Sequence, residues 1–182
     1  AGFLAAYQVA FYVSHRRIER EVFETLLDSL APSNFFDQPP FNLSLRRAVI
    51  LGGGVAGYNA AKMLARMGAT VYVSEIDPLK IGRLKELSEQ EKNPFYLINH
   101  QKQDLSPYLN YANAIVSSVY KLGEKTPLLI NEDALSRASR DFKKVIIDIS
   151  IDQGGTIYGS RPTTHAEPVY RDAFGNIRYC VA

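Results

Sequence analysis

Two stretches of this chain hold residue types at spacings that suit chemistry. The first is LGGGVAG, in which Gly52, Gly54 and Gly57 form G-x-G-x-x-G. Glycines so spaced permit a tight turn, let a pyrophosphate approach the backbone, and allow close packing of the next helix on the preceding strand. A helix starting near Val55 and Ala56 would aim its first N–H groups and its dipole at phosphate. The second stretch is IDQGGTIYGSRPTTHAEPVY, residues 151–170. Here a buried run ends at Ile151, Asp152 and two glycines, and a polar loop with Arg161, Thr163, Thr164 and His165 follows. Asp152, at the mouth of a strand, suits proton relay or the holding of an ammonium group. It suits the capping of a turn equally, as Asp beside Gly often does.

An acid stands between the two stretches. Glu75 lies 18 residues beyond Gly57, near the ~20 expected of an acid that binds a ribose. A carboxylate there accepts hydrogen bonds from the ribose hydroxyls and repels a 2′-phosphate, so NAD is expected rather than NADP. Ile76 and Lys80 follow it closely and are candidates for the adenosine side. The plainer alternative is that Glu75 is a solvated residue at a strand end.

These residues need a frame. Ala48–Leu51 is a continuous apolar run, as expected of a strand covered on both faces. From there helices and strands alternate: helix 55–67, strand 70–75, helix 78–90, strand 95–98, a short helix near 104–110, strand 114–118, helix 131–140, strand 144–150 and a last strand 177–182. Such alternation predicts an α/β fold, a Rossmann-type doubly wound sheet of six mostly parallel strands with helices on both faces. Ligands of such sheets lie at the carboxyl ends of the strands. The loop beginning Ser117, Ser118, Val119, Tyr120 and the one beginning at Asp152 both qualify, beside the nicotinamide half of the cofactor. Before residue 46 the chain differs. Apolar spacing predicts a helix over 2–14 and an amphipathic helix over 17–30, then a proline-containing loop. The domain boundary is therefore expected at 45/46.

The chain has 182 residues, 46% apolar and 22% charged, with net charge +2. The charge is balanced and scattered, which argues against a nucleic-acid partner. No apolar run approaches the ~18 residues that cross a bilayer, so no membrane partner is expected. The single cysteine, Cys180, cannot build a disulfide framework or a Cys-rich zinc site, which suits a reducing cytoplasm. His15 and His100 have no partner at metal-ligand spacing, and no metal is expected. The chain opens mid-pattern and closes on the apolar IRYCVA, so it reads as a piece of a longer protein.

The segments GGGVAGYNAAKM, GATVYVSEID, GEKTPLLI and DISIDQGGTIYGSRPTTHAEPVY with YCVA resemble the alanine dehydrogenase family. That family is related to the NAD-binding part of proton-translocating nicotinamide nucleotide transhydrogenase. The resemblance runs from Arg47 to Ala182, and AGFLAAYQVA is similar to the helix that leads into the family's NAD domain. It implies reversible oxidative deamination of L-alanine to pyruvate and ammonia, with hydride passing to NAD. It implies that Asp152 lies in the active site and assists proton transfer as an imine forms and water attacks it. It also implies that Val119 and Tyr120 pack near the nicotinamide, Tyr120 replacing a commoner leucine, and that the full-length protein is a homo-oligomer. The family's substrate-binding Arg and Lys and its catalytic His belong to a preceding domain that this sequence does not contain. Residues 16–45 also depart from the family's shorter, glycine-rich connection. Two other readings stay open: the NAD-binding component of a transhydrogenase, and a non-catalytic NAD-sensing module. His165 and Arg161 read equally well as residues that pin their own loop, and Cys180 as an ordinary buried strand residue.

Overall fold

The apolar runs read as strands lie side by side in one sheet. A computed structural model describes residues 5, 6, 8, 9, 43, 44, 46–92 and 94–180. The elements in chain order are β1 (Arg47–Leu51), α1 (Val55–Arg66), β2 (Thr70–Ser74), α2 (Pro78–Glu89), β3 (Tyr96–Ile98), α3 (Ser106–Tyr111), β4 (Ala114–Ser117), α4 (Glu132–Ala138), β5 (Val145–Asp148), a 3-10 helix (Ile149–Gln153), β6 (Val169–Arg171) and β7 (Ile177–Tyr179). The sheet order is β3-β2-β1-β4-β5-β7-β6. Every neighbouring pair is parallel except β6–β7. The order reverses between β1 and β4, which is the topological switch point of a doubly wound sheet.

The continuous apolar runs follow from two covered faces. Ala48 and Ile50, Val71 and Val73, Ala114 and Val116, and Val145 and Ile147 point into the core under α1. The alternate residues Val49, Leu51, Ile115 and Ile146 point into a second core with Leu109 of α3 and Leu135 of α4. Each buried Val, Leu or Ile among them contributes about 1.5–3 kcal/mol by leaving water, and the polar residues buried on these strands, Ser74, Ser117 and Asp148, stand at the carboxyl ends where they find hydrogen-bond partners. On α1 the buried face is Gly57, Ala60, Ala61, Met63, Leu64 and Ala65. Small residues at 57, 60 and 61 let the helix lie close to the sheet. By contrast α2 buries only Leu84 and Ser88, as its charge-rich sequence predicts.

Three expectations are corrected. The sheet has seven strands, not six: β6 pairs antiparallel with the last strand, joined through a turn in which Asp172 accepts from the N–H groups of Phe174 and Asn176. Its three residues are largely exposed, so no apolar alternation marks it. The fifth strand ends at Asp148 rather than 150, because the Asp148 carboxylate accepts from the Ser150 N–H and turns the chain into the 3-10 helix. The last strand ends at Tyr179, and residues 181–182 lie outside the described residues. Residues 5, 6, 8 and 9 are helical, and Ala5, Ala6 and Val9 join the core under α1. The rest of the predicted helix at 2–14, the helix at 17–30, most of the proline-containing loop and His15 lie outside the described residues. Among the described residues no helix is long and apolar enough to cross a membrane.

Candidate nucleotide-binding site

Leu51, Ser74, Ser117 and Asp148 lie abreast at the carboxyl ends of four adjacent strands. The next residue of each strand leaves the sheet on the same side, which brings Gly52, Glu75 and Ser118 together. The Gly52 N–H donates to the Ser74 carbonyl at 2.9 Å, and the Ser118 N–H donates to the Leu51 carbonyl at 2.8 Å. Ser118 Oγ reaches the Leu51 and Gly52 carbonyls at 3.2 and 3.0 Å. Val119 packs half-buried on the α3/α4 side, while Tyr120 is 71% exposed.

Each glycine of the series meets a different constraint. Gly52 has φ +91°, a left-handed value that favours glycine. A Cβ at Gly57 would fall 1.9 Å from the Gly52 carbonyl oxygen, so helix and turn touch backbone to backbone. A Cβ at Gly54 would meet nothing within 4 Å. Gly54 is also the N-cap of α1 and supplies no side-chain cap, so the helix opens onto free space with its first N–H groups uncapped by a side chain. An anion fits there on charge and shape.

Glu75 is 7% exposed and binds the turn directly. Its Oε2 accepts from the Gly53 N–H at 2.9 Å, and Oε1 accepts from the N–H groups of Ile76 and Asp77 at 2.8 and 3.1 Å. A carboxylate has about four acceptor positions. Three serve the backbone here, so Oε2 keeps one for a ligand hydroxyl. The plain solvated-residue alternative does not describe this group. Ile76 is 39% exposed beside it. Lys80 lines a cleft of about 420 Å³ between α1 and α2 together with Gly53, Gly54, Val55 and Arg83. His100, beyond β3, places Nδ1 2.7 Å from Ser74 Oγ, and its pKa is lowered by burial against the pull of the nearby Glu75 charge.

The second stretch and the strand end that leads into it hold two kinds of residue. Asp148, 1% exposed, takes the structural work: Oδ1 accepts from the Ser150 N–H, and Oδ2 accepts from the Thr156 N–H at 3.1 Å and from Ser160 Oγ at 2.7 Å. Burial pushes its pKa up, against the pull of those three donors and the Arg178 charge. The turn is therefore capped by Asp148 and not by Asp152, whose side chain stands exposed at the end of the 3-10 helix. Ile151 is buried, and its carbonyl accepts from the Gly154 N–H. Arg161 stacks 4.2 Å over the Tyr170 ring, whose hydroxyl donates to the Gly159 carbonyl and accepts from the Arg161 N–H. Arg161 thus pins its own loop, and Thr163 Oγ1 accepts from the buried Cys180 N–H. His165 is exposed. Sequence spacing gives no sign of Asp148 as the anchor, nor of the Ser117, Ser150 and Thr156 hydroxyls that join the end of β4 to the 3-10 helix and the loop after it. It also misses the buried Arg178–Asp172 pair that ties β7 to the turn.

The chain is similar in sequence and fold to known proteins. The family "Alanine dehydrogenase/PNT, C-terminal domain" matches residues 43–182. The chain is 37% identical over 138 residues to an alanine dehydrogenase of Halomonas elongata, covering 75% of this chain and 35% of that protein. It is 34% identical over 134 residues to an alanine dehydrogenase of Mycobacterium tuberculosis, covering 74% of this chain and 34% of that protein. It therefore spans about 35% of the length of the curated relatives it matches. A solved L-alanine dehydrogenase superimposes with a TM-score of 0.74 at 25% identity, over all of this chain and 45% of its own. A transhydrogenase from Sinorhizobium meliloti superimposes with a TM-score of 0.65 at 17% identity over all of this chain and 47% of its own, a likeness of fold.

Proposed function

This chain belongs to the alanine dehydrogenase/PNT C-terminal domain family, and from that premise we propose that it is the NAD(H)-binding domain of an alanine dehydrogenase. The observation that carries the cofactor reading is the open N-terminus of α1: Gly54 leaves free space where a pyrophosphate would approach, and Glu75 is fastened to the same turn. The residues fit the group. Gly52, Gly54, Val55, Ala56 and Gly57 hold the pyrophosphate through backbone N–H groups and close approach. Glu75 accepts from the adenosine ribose, with Ile76 and Lys80 beside it. Ser118, Val119, Tyr120, Ile151 and Asp152 flank the nicotinamide half. When bound, NAD supplies the acceptor for the hydride that leaves the α-carbon of L-alanine.

Asp152 takes the proton-transfer role. Its carboxylate is free of the turn, since Asp148 does the capping, and an exposed carboxylate at the ring-side loop can relay protons between water and the substrate nitrogen. L-alanine, pyruvate and ammonia are the substrates in this reading, held by Arg, Lys and His of a domain that precedes this one in the full-length protein, a homo-oligomer. Residues 1–45 form the connecting segment and 46–182 the cofactor domain. A cytoplasmic setting suits the single thiol. Sequence identity of 37% favours alanine dehydrogenase over transhydrogenase, where the likeness is one of fold.

The test is a chimera in which this chain replaces the matching segment of the Halomonas elongata enzyme. Alanine-dependent NADH formation is expected from the chimera, and none from the Asp152→Asn version or from this chain alone. A folded, NADH-binding chimera that oxidises no alanine, or alanine oxidation by the isolated chain, contradicts the reading.

A further inference from the structure

Two loops leave the sheet at the carboxyl ends of β4 and β5, and one side chain joins them. The Lys121 N–H donates to Gln153 Oε1 at 3.0 Å, and Gln153 Nε2 donates to the Lys121 carbonyl at 2.8 Å. A primary amide carries one acceptor and one donor end, so this pairing reproduces a rung of a β ladder with a side chain in place of a strand. The main chain of the same residue makes a second tie. The Gln153 carbonyl accepts from the Thr126 N–H at 3.1 Å, and Thr126 Oγ1 is shared between the Gln153 and Gly155 carbonyls at 3.2 and 3.0 Å. Gln153 thereby holds the β4 loop at both ends, at Lys121 and at Thr126. The residues between them are exposed: Leu122 at 82% has no core to anchor it.

The position of this brace gives it a consequence. Asp152 precedes Gln153 on one strand of the brace, and Tyr120 precedes Lys121 on the other. We propose that Gln153 is a positioning residue that sets the separation between Val119–Tyr120 and Asp152, and so builds the wall of the site against the nicotinamide ring. The proposal rests on the cofactor reading above. Only a primary amide of this length meets both Lys121 groups: alanine offers neither end, and a glutamate would set a carboxylate oxygen against the Lys121 carbonyl.

The experiment titrates the 182-residue chain, Gln153→Ala and Gln153→Glu with NADH and, separately, with ADP-ribose. ADP-ribose keeps the adenosine, pyrophosphate and both riboses and lacks the nicotinamide. The wild-type chain binds NADH more tightly than ADP-ribose. Both variants lose about ten-fold in NADH affinity, the scale of two hydrogen bonds, while ADP-ribose binding holds, which also certifies that the variants are folded. Unchanged NADH affinity in both variants, or equal loss of both ligands, overturns the proposal. A wild-type chain that binds ADP-ribose as well as NADH overturns the nicotinamide-side reading itself, and the proposal with it.

Discussion

At the scale of single residues, the glycines of the turn stand in different surroundings, from which the proposed reading assigns one to folding and another to binding. Gly57 is needed by the fold, because any Cβ there meets the Gly52 carbonyl oxygen at 1.9 Å. Gly57→Ala should cost about 1–3 kcal/mol of stability, the usual penalty of overpacking, read as a fall in the urea midpoint. Gly54 has φ −66° and open space around it. Gly54→Ala should leave stability within about 0.5 kcal/mol and still weaken NADH binding, because the methyl group enters the space offered to the pyrophosphate. A stable Gly57→Ala protein, or a Gly54→Ala protein with unchanged NADH affinity, would refute this division. The glycine turn and the start of α1 were legible because their mechanism is local: turn and helix start follow one another along the chain. Asp148 and Gln153 were not. The side-chain partner of Gln153, Lys121, stands 32 residues away on the loop after the neighbouring strand, and nothing in DISIDQGG says which acid caps and which stays free.

At the scale of elements, the strands were readable from apolar runs with two covered faces, and α1 from its small-residue stripe. β6 escaped because three exposed edge residues carry no pattern. One buried charge shows how elements are joined at the end of the sheet opposite the site. Lys144, 1% exposed at the head of β5, donates to the Asn110 and Ala112 carbonyls at 3.4 and 2.9 Å, closing the end of α3. Its ammonium lies 4.4 Å over the Phe142 ring. Burial depresses its pKa to about 8 from 10.5, with Asp141 opposing. Between those two values the unfolded chain holds the proton and the folded chain does not. The Lys144 contribution to stability therefore rises as pH climbs from about 8 towards 10.5, and falls as pH drops through 8. Urea unfolding of wild type and Lys144→Met across pH 7–10.5 should show wild type gaining on the variant over that window. A difference independent of pH would mean that Lys144 does not titrate there.

At the scale of the whole molecule, a doubly wound sheet gathers its carboxyl-end loops at the reversal of strand order, and the β1, β2, β4 and β5 loops all converge there. That convergence is why one sheet brings the open N-terminus of α1, the carboxylate of Glu75 and the exposed Asp152 to one edge. The central claim is that this edge binds NAD(H), with Glu75 as the selector against a 2′-phosphate. The direct measurement is fluorescence titration of the purified chain with NADH and NADPH in parallel, repeated on Glu75→Gln. The account predicts saturable NADH binding, at least about ten-fold weaker NADPH binding, the scale of one lost charge-assisted contact, and a smaller gap between the two in the variant. Equal affinity for the two cofactors in the wild-type chain, or binding of neither, would contradict it.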